Sequence, residues 1–290
     1  MKQAKNQIVG LIRAQLPELP KAQQRVAKYI IDNPEEVIFY TVGQIAQRAD
    51  TSTATVVRLA NSLGFSGYSD FQHELQSAVR PQFDPANRLA RNKRAGSQSA
   101  LISDIMNRQL ANLDELIKTV NESDIYRTAE LIETAIFGGH AVYICGNRSC
   151  YAAASYFSYN LSRMFGNGYL LSAETVGFTN TLNQIRPGDV LVAISLMRYV
   201  RSTVETEQIA RSRGANVIAI TDSTVSPLAD DADILFKVPC ETLHFHNSLV
   251  AVNLLMEALI GVLTDRNQQM VQQHLEEQEK LLAQMKIHIL

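Results

Sequence analysis

Along the first 79 positions the apolar residues recur with helical spacing and never alternate as strand residues do. In KAQQRVAKYIIDNPEEV, Val26, Ile30 and Ile31 share one helical face, and Pro34 opens a further short helix. TVGQIAQRA and TSTATVVRLANSLG follow almost without a spacer, and YSDFQHELQSAV closes the segment. Residues 80–99, RPQFDPANRLARNKRAGSQS, change character. Prolines, a glycine, serines and the basic cluster Arg88, Arg91, Lys93 and Arg94, with few apolar anchors, predict an interdomain linker. From residue 100 two amphipathic helices, ALISDIMNRQLANLDELIKTV and DIYRTAELIETAIFGG, lead into a different rhythm. AVYIC, YLLS, VLVAIS, NVIAIT and ILFKVP are short apolar strands, interleaved with helical CYAAASYFSYNLSRMFG, ETVGFTNTLNQI and STVETEQIARSRG and a short SPLADDA turn. HNSLVAVNLLMEALIGVL is a strongly apolar helix, and QQMVQQHLEEQEKLLAQM a polar amphipathic one. The pattern therefore predicts an all-α domain over 1–79, a linker over 80–99, and over 100–290 an α/β domain whose parallel sheet is flanked by helices on both faces.

Composition narrows the class. At 290 residues, 46% hydrophobic and 19% charged, the chain has the make-up of a globular protein with a sizeable core. No apolar run approaches the roughly 20 residues of a membrane span, so no membrane partner is expected. The first residues, MKQAKNQIVGLIRAQ, form a polar amphipathic pattern without the apolar stretch of a secretory signal. Cys145, Cys150 and Cys240 lack paired spacing, which argues for a reducing compartment and against a disulfide framework or zinc site. The expectation is a cytoplasmic protein. Charge adds an asymmetry: residues 1–96 hold 13 Lys/Arg and 8 Asp/Glu, a balance of +5, and the rest hold 14 and 21, a balance of −7. A basic first third on an acidic body suggests a polyanion partner for the first third alone.

Two constellations carry chemistry. The first, TVGQIAQRADTSTATVVRLANSLGF, has the outline of a helix-turn-helix. Val42, Ile45 and Ala46 point inward from the first helix, Asp50 to Ser52 make the turn, and Ser52 caps a second helix that buries Val56, Leu59 and Leu63. The opposite face is read as Thr53, Thr55 and Arg58, short hydroxyls and a cation suited to a major groove. Each has a plainer alternative: Ser52 as a cap alone, and Arg58 as a solvated arginine or a partner of Asp70.

The second constellation lies at strand ends. In YICGNRSCYAAASYF, Gly146, Asn147, Arg148 and Ser149 join a strand to a helix, where a glycine turn, a hydroxyl and free amides suit an anion. AISLMRYVRSTVE stands at the corresponding end of another strand and offers Ser195, Arg198, Tyr199, Arg201 and Thr203. Asp222 and Ser223, at a third strand end, either touch the ligand or cap the next turn. His244 and His246 flank Phe245 but lack the further ligands a metal site needs, so neither a metal nor a cofactor is expected.

These residues bring a resemblance into view. Ser52, Thr53, Ala54, Thr55, Val56, Val57 and Arg58, followed by Leu63, Gly64, Phe65, Gly67, Tyr68 and Phe71, resemble the N-terminal domain of the RpiR family of bacterial transcription regulators. The resemblance implies operator binding, with the helix from about 52 to 62 as reader, and a sugar-isomerase (SIS) domain behind it. The second half is similar to such a domain but departs from it in one loop. Many SIS domains carry S-x-S-G-x-T where a sugar phosphate is cradled. Here only Ser195 remains, with Met197, Arg198 and Val200 in place of the second serine, the glycine and the threonine. Either Arg198, with or without Arg201, forms a charged fork for an anion, Ser195 and Thr203 adding hydroxyls, or the pocket is lost and the arginines face a subunit interface.

Isomerase chemistry needs a base and a second acid. Glu174, Glu205, Glu241 and His244 are available, but no motif joins them. The reading is a regulator without catalytic residues, binding double-stranded operator DNA and sensing a small anionic metabolite, a sugar phosphate or sugar acid. A homodimer or tetramer is expected, held by the SIS helices and the 266–288 tail; the alternative is a sugar-phosphate isomerase.

Overall fold

The structure, a computed structural model, describes residues 2–79, 84–91 and 100–287. Backbone contacts divide the chain into two units that meet in sequence near residues 94 and 95.

The first unit is helical: α1 Lys2–Gln15, α2 Lys21–Asp32, α3 Pro34–Val37, α4 Val42–Arg48, α5 Thr53–Ser62, α6 Tyr68–Val79 and α7 Pro85–Arg91. Ile12, Val26, Ile30, Ile45, Leu59, Phe71 and Leu75 form its fully buried centre. The entry to α4 is a capping box, in which the Gln44 amide donates to Thr41 Oγ1 at 3.3 Å and the Thr41 amide to Gln44 Oε1 at 2.7 Å. The segment expected to be pure linker contains α7, whose first turn is held by Asp84 Oδ1 accepting from the Ala86 amide. Arg88 and Arg91 lie on it, while Lys93 and Arg94 lie outside the described residues.

The second unit opens with α8 Leu101–Thr119 and α9 Glu122–Phe137, then runs β1 Val142–Gly146, α10 Tyr151–Phe165, β2 Tyr169–Leu171, α11 Phe178–Gln184, β3 Val190–Ile194, α12 Arg201–Ser212, β4 Asn216–Thr221, β5 Ile234–Lys237, α13 Val250–Arg266 and α14 Gln268–Gln284. Among the described residues the five strands form one parallel sheet in the order β2-β1-β3-β4-β5. Both faces are buried, which is why the strands read as unbroken apolar runs. Val142, Ile144, Val190, Val192, Ile194, Ile218 and Ile220 pack beneath α9, α10 and α13. Their neighbours Tyr143, Cys145, Leu191, Ala193 and Ala219 face the other way, toward α11 and α12. The last helix is committed in part to its own domain: Val271 is buried, and Arg163 Nε of α10 donates to Gln278 Oε1 at 3.3 Å.

The strand order places a reversal between β1 and β3: the chain leaves β1 toward β2 on one side and builds β3 to β5 on the other. Gly146 pairs with Ile194, and Ile194 with Ile220, so these carboxyl ends stand level. In open α/β sheets this reversal leaves a crevice outside the strand ends.

Candidate functional site

In the helical unit, Ser52 caps α5 by accepting from the Thr55 amide at 3.3 Å. The turn before it is tight: Asp50 adopts a left-handed φ of 48°, and Arg25 Nη2 donates to its carbonyl at 2.9 Å. Ser52, Thr53 and Arg58 are exposed, with Arg58 Nε donating to the Ala54 carbonyl at 3.2 Å. Thr55 corrects the expectation. It is only 7% exposed, and its hydroxyl lies 3.0 Å from that of Ser52. Four residues before the buried Leu59, it shares the inward face of α5. Asp70 is not the partner of Arg58; it accepts from the Ser66 amide and hydroxyl at 3.0 and 3.1 Å at the start of α6. Those bonds hold the Asp70 carboxyl below its ordinary range.

At the crevice, a Cβ on Gly146 would lie 2.7 Å from the Cys150 carbonyl oxygen and 2.8 Å from Ala154 Cβ, so glycine alone lets β1 turn directly under α10. Arg148 follows with a left-handed φ of 55°, and both it and Ser149 are exposed. Asn147 between them is 2% exposed and fully used. Its Nδ2 donates to Thr203 Oγ1 at 2.8 Å, and its Oδ1 accepts from Ser172 Oγ at 3.0 Å and the Ala173 amide at 2.9 Å. Asn147 and Thr203 thus form a buried tie joining β1, β2 and α12 beneath the crevice, not a free pair on its wall.

The 195–200 loop is held from three directions. Ser195 is buried, and its Oγ accepts from the Val200 amide at 3.2 Å. The Met197 amide donates to Asp222 Oδ1 at 3.1 Å, and Asn247 Nδ2 donates to the Met197 carbonyl. Tyr199 is half-buried and lies close enough to Asp222 for the two to interact electrostatically. Burial, then the negative charge of Asp222, pushes the Tyr199 phenol above its ordinary range; burial likewise raises Asp222 against the bonds it accepts. This anchoring leaves Arg198 exposed at the loop tip. Arg201 is drawn back along α12, where its Nε lies 2.9 Å from Glu205 Oε1.

Asp222 therefore holds the loop instead of capping the next turn, a role that falls to Ser223, whose Oγ accepts from the Val225 amide at 3.3 Å. Asn247 and Ser172 carried no sequence signal, because their partners lie 50 and 25 residues away. The His244 and His246 rings stand 4.2 Å apart, with His246 Nδ1 at 2.9 Å from the Asn247 carbonyl. Of the four groups considered for isomerase chemistry, Glu205 is taken up by Arg201 on the solvent side of α12. Among the described residues no cluster of His, Cys, Asp or Glu is placed to hold a metal ion, and no helix is long and apolar enough to cross a membrane.

A helix-turn-helix unit and a parallel α/β unit with a strand-end crevice, carried by one chain, define a transcription regulator of the two-domain type. Comparison with known proteins agrees. Residues 6–82 match the helix-turn-helix domain of the rpiR family, and residues 136–262 match the SIS domain. The chain belongs to the RpiR family of transcription regulators. It is 24% identical over 97% of its length to the HTH-type transcriptional regulator TTE0211 of Caldanaerobacter subterraneus subsp. tengcongensis, covering 99% of that protein. It is 28% identical to the HTH-type transcriptional regulator HexR of Pseudomonas aeruginosa, with 79% of this chain and 77% of HexR aligned. Its fold matches that of Vibrio vulnificus NanR complexed with ManNAc-6P, at TM-score 0.65 and 21% identity over 96% of this chain and 98% of NanR. The sugar isomerase domain of an RpiR transcription factor from Sphaerobacter thermophilus matches with TM-score 0.59 and 24% identity, over 62% of this chain and 99% of that one.

Proposed function

We propose that this regulator binds operator DNA through α5 and responds to a small anionic metabolite held at the carboxyl ends of β1 and β3. The observation that carries the sensing half is the reversal of strand order between β1 and β3. It puts two loops side by side, each with an exposed arginine, Arg148 and Arg198. The left-handed backbone of Arg148 adds support, since strain of about 1 kcal/mol or more in a non-glycine residue gathers at ligand sites. Gly146 and Ser149 complete the first loop; Ser195, Asn147 and Thr203 support from beneath, and Tyr199 braces the second loop on Asp222. A sugar phosphate is the favoured ligand class, because NanR, which shares the fold, is complexed with ManNAc-6P. A sugar acid is the alternative, because a guanidinium fork accepts carboxylate as readily as phosphate.

On the DNA side, Ser52, Thr53 and Arg58 are exposed where a recognition helix meets a major groove, at a helix start that attracts phosphate. Reading two half-sites calls for a homo-oligomer and a palindromic operator. Two measurements test the assignment. Arg58→Ala should weaken binding to a promoter fragment from the gene's own neighbourhood by roughly tenfold or more and flatten its salt dependence by about one unit of slope. Unchanged affinity with unchanged slope would remove α5 from the interface. In a thermal-shift screen of sugar phosphates and sugar acids, a hit should stabilise the wild type and not Arg198→Ala. A hit that stabilises both equally places the ligand elsewhere.

A further inference from the structure

The outward face of α5 is not centred on the residues that its sequence motif brings forward. Thr55, Val56, Leu59 and Ala60 are buried, while Thr53, Ala54, Arg58 and Asn61 are exposed and Val57 is half-buried. With Thr53 at zero and about 100° per residue, Val57 falls near 40°, Asn61 near 80°, Ala54 near 100° and Arg58 near 140°. The buried set occupies the opposite side, from about 200° to about 340°. The middle of the outward face therefore belongs to Val57, Asn61 and Ala54, and Thr53 and Arg58 flank it.

These positions are held firmly. Ser52 caps the helix start, and at the far end Ser62 Oγ donates to Gln23 Oε1 of α2 at 3.1 Å. Val57, being β-branched, has one strongly preferred rotamer in a helix. Arg58 Nε donates to the Ala54 carbonyl, which draws its side chain back along the first turn and keeps it at the edge of the face.

The chemistry of the central residues decides what they can recognise. In a major groove, arginine and lysine bond to guanine, acids accept from cytosine, asparagine pairs with adenine, and apolar groups pack on the C5-methyl group of thymine. Ala54 and Val57 offer methyl groups alone, Asn61 offers the amide suited to adenine, and no acid or lysine lies anywhere on α5. A base donor or acceptor pressed against Ala54 or Val57 would lose its water and gain no bond, whereas a thymine methyl group gains by the same burial. We propose that Ala54 and Val57 read thymine methyl groups, so that the operator half-site is A·T at the base pairs facing the first two turns of α5. The inference rests on α5 as the DNA reader and adds which groups of the duplex it recognises.

The test uses the full chain and a duplex that it selects from a random pool. Each thymine of that duplex is replaced in turn by uracil, which removes the C5-methyl group alone. Uracil at one or two positions of each half-site should weaken binding about three- to fivefold, the worth of burying one methyl group. Val57→Ala should bind the thymine duplex more weakly and lose the uracil penalty at one of those positions, because the contact is already gone. Ala54→Ser, a change at an exposed site, should do the same at another. Both variants should melt as the wild type does. Uracil that is neutral at every position overturns the proposal. If Arg58→Ala still weakens binding in that case, α5 remains the reader through other contacts; if it does not, the assignment of α5 falls as well. Uracil penalties that persist undiminished in both variants also overturn the proposal and place the methyl contacts on other residues.

Discussion

Glu207 shows how a single side chain can set the response of a domain to pH. It lies on the inner face of α12, 1% exposed, and neither carboxyl oxygen has a hydrogen-bond partner. Burial, then the negative charges of Asp231 and Asp230, pushes its pKa up to about 8, against a small opposing pull from Arg211. Between the ordinary value of 4.5 and about 8 the folded chain keeps a proton that the unfolded chain releases. Stability from this group is thus fully present below the lower value and declines as pH rises, by at most about 1.4 kcal/mol per pH unit. Above about 8 the loss is complete. Glu207→Gln should remove the slope, so that the melting temperature of the variant gains on that of the wild type between pH 5 and pH 8. Parallel melting curves across that interval would refute the assignment. At the same scale, Thr55 was readable as an inward residue from its spacing to Leu59, since positions four apart share a helix face. The burial of Asn147 was not readable, because all three of its principal partners lie in other elements.

Elements followed the hydrophobic pattern closely where that pattern was long. The parallel strands were visible as apolar runs and their helices as amphipathic ones, and Ser52 marked the start of α5 as a cap should. Helix α7 was hidden by its polar composition, which resembles a linker's, and by the prolines around it. The turn from β1 into α10 is the most exacting junction. Gly146→Ala would force its methyl group to within 2.7 Å of a backbone oxygen that has nowhere to retreat. The expected cost is about 1–3 kcal/mol, with a lower melting transition for the second unit and a weaker ligand response. A variant with unaltered melting and unaltered response would mean that the junction is looser than its geometry indicates.

At the scale of the whole molecule, sensing and DNA binding must be linked through one free energy. If the ligand changes operator affinity by a given factor, operator DNA must change ligand affinity by the same factor. Titrating ligand with and without operator, and operator with and without ligand, should return equal ratios, commonly between about 5-fold and 150-fold for a coupling of this kind. Unequal ratios would show that the two events are not a simple equilibrium couple. The sequence by itself determined the division into a helical and an α/β part, the succession of strands and helices in the second part, the Ser52 cap and the helix-turn-helix motif. All of these rest on interactions between residues a few positions apart. Tertiary structure alone decided which polar residues at the strand ends are spent on holding the fold and which remain outside it. Asn147, Thr203 and Ser195 read as ligand groups because their positions are right, yet their bonds reach 5 to 56 residues along the chain and are invisible until it closes. What stays exposed after that closure at the crevice is Arg148 and Arg198, which no bond within the fold takes out of solvent.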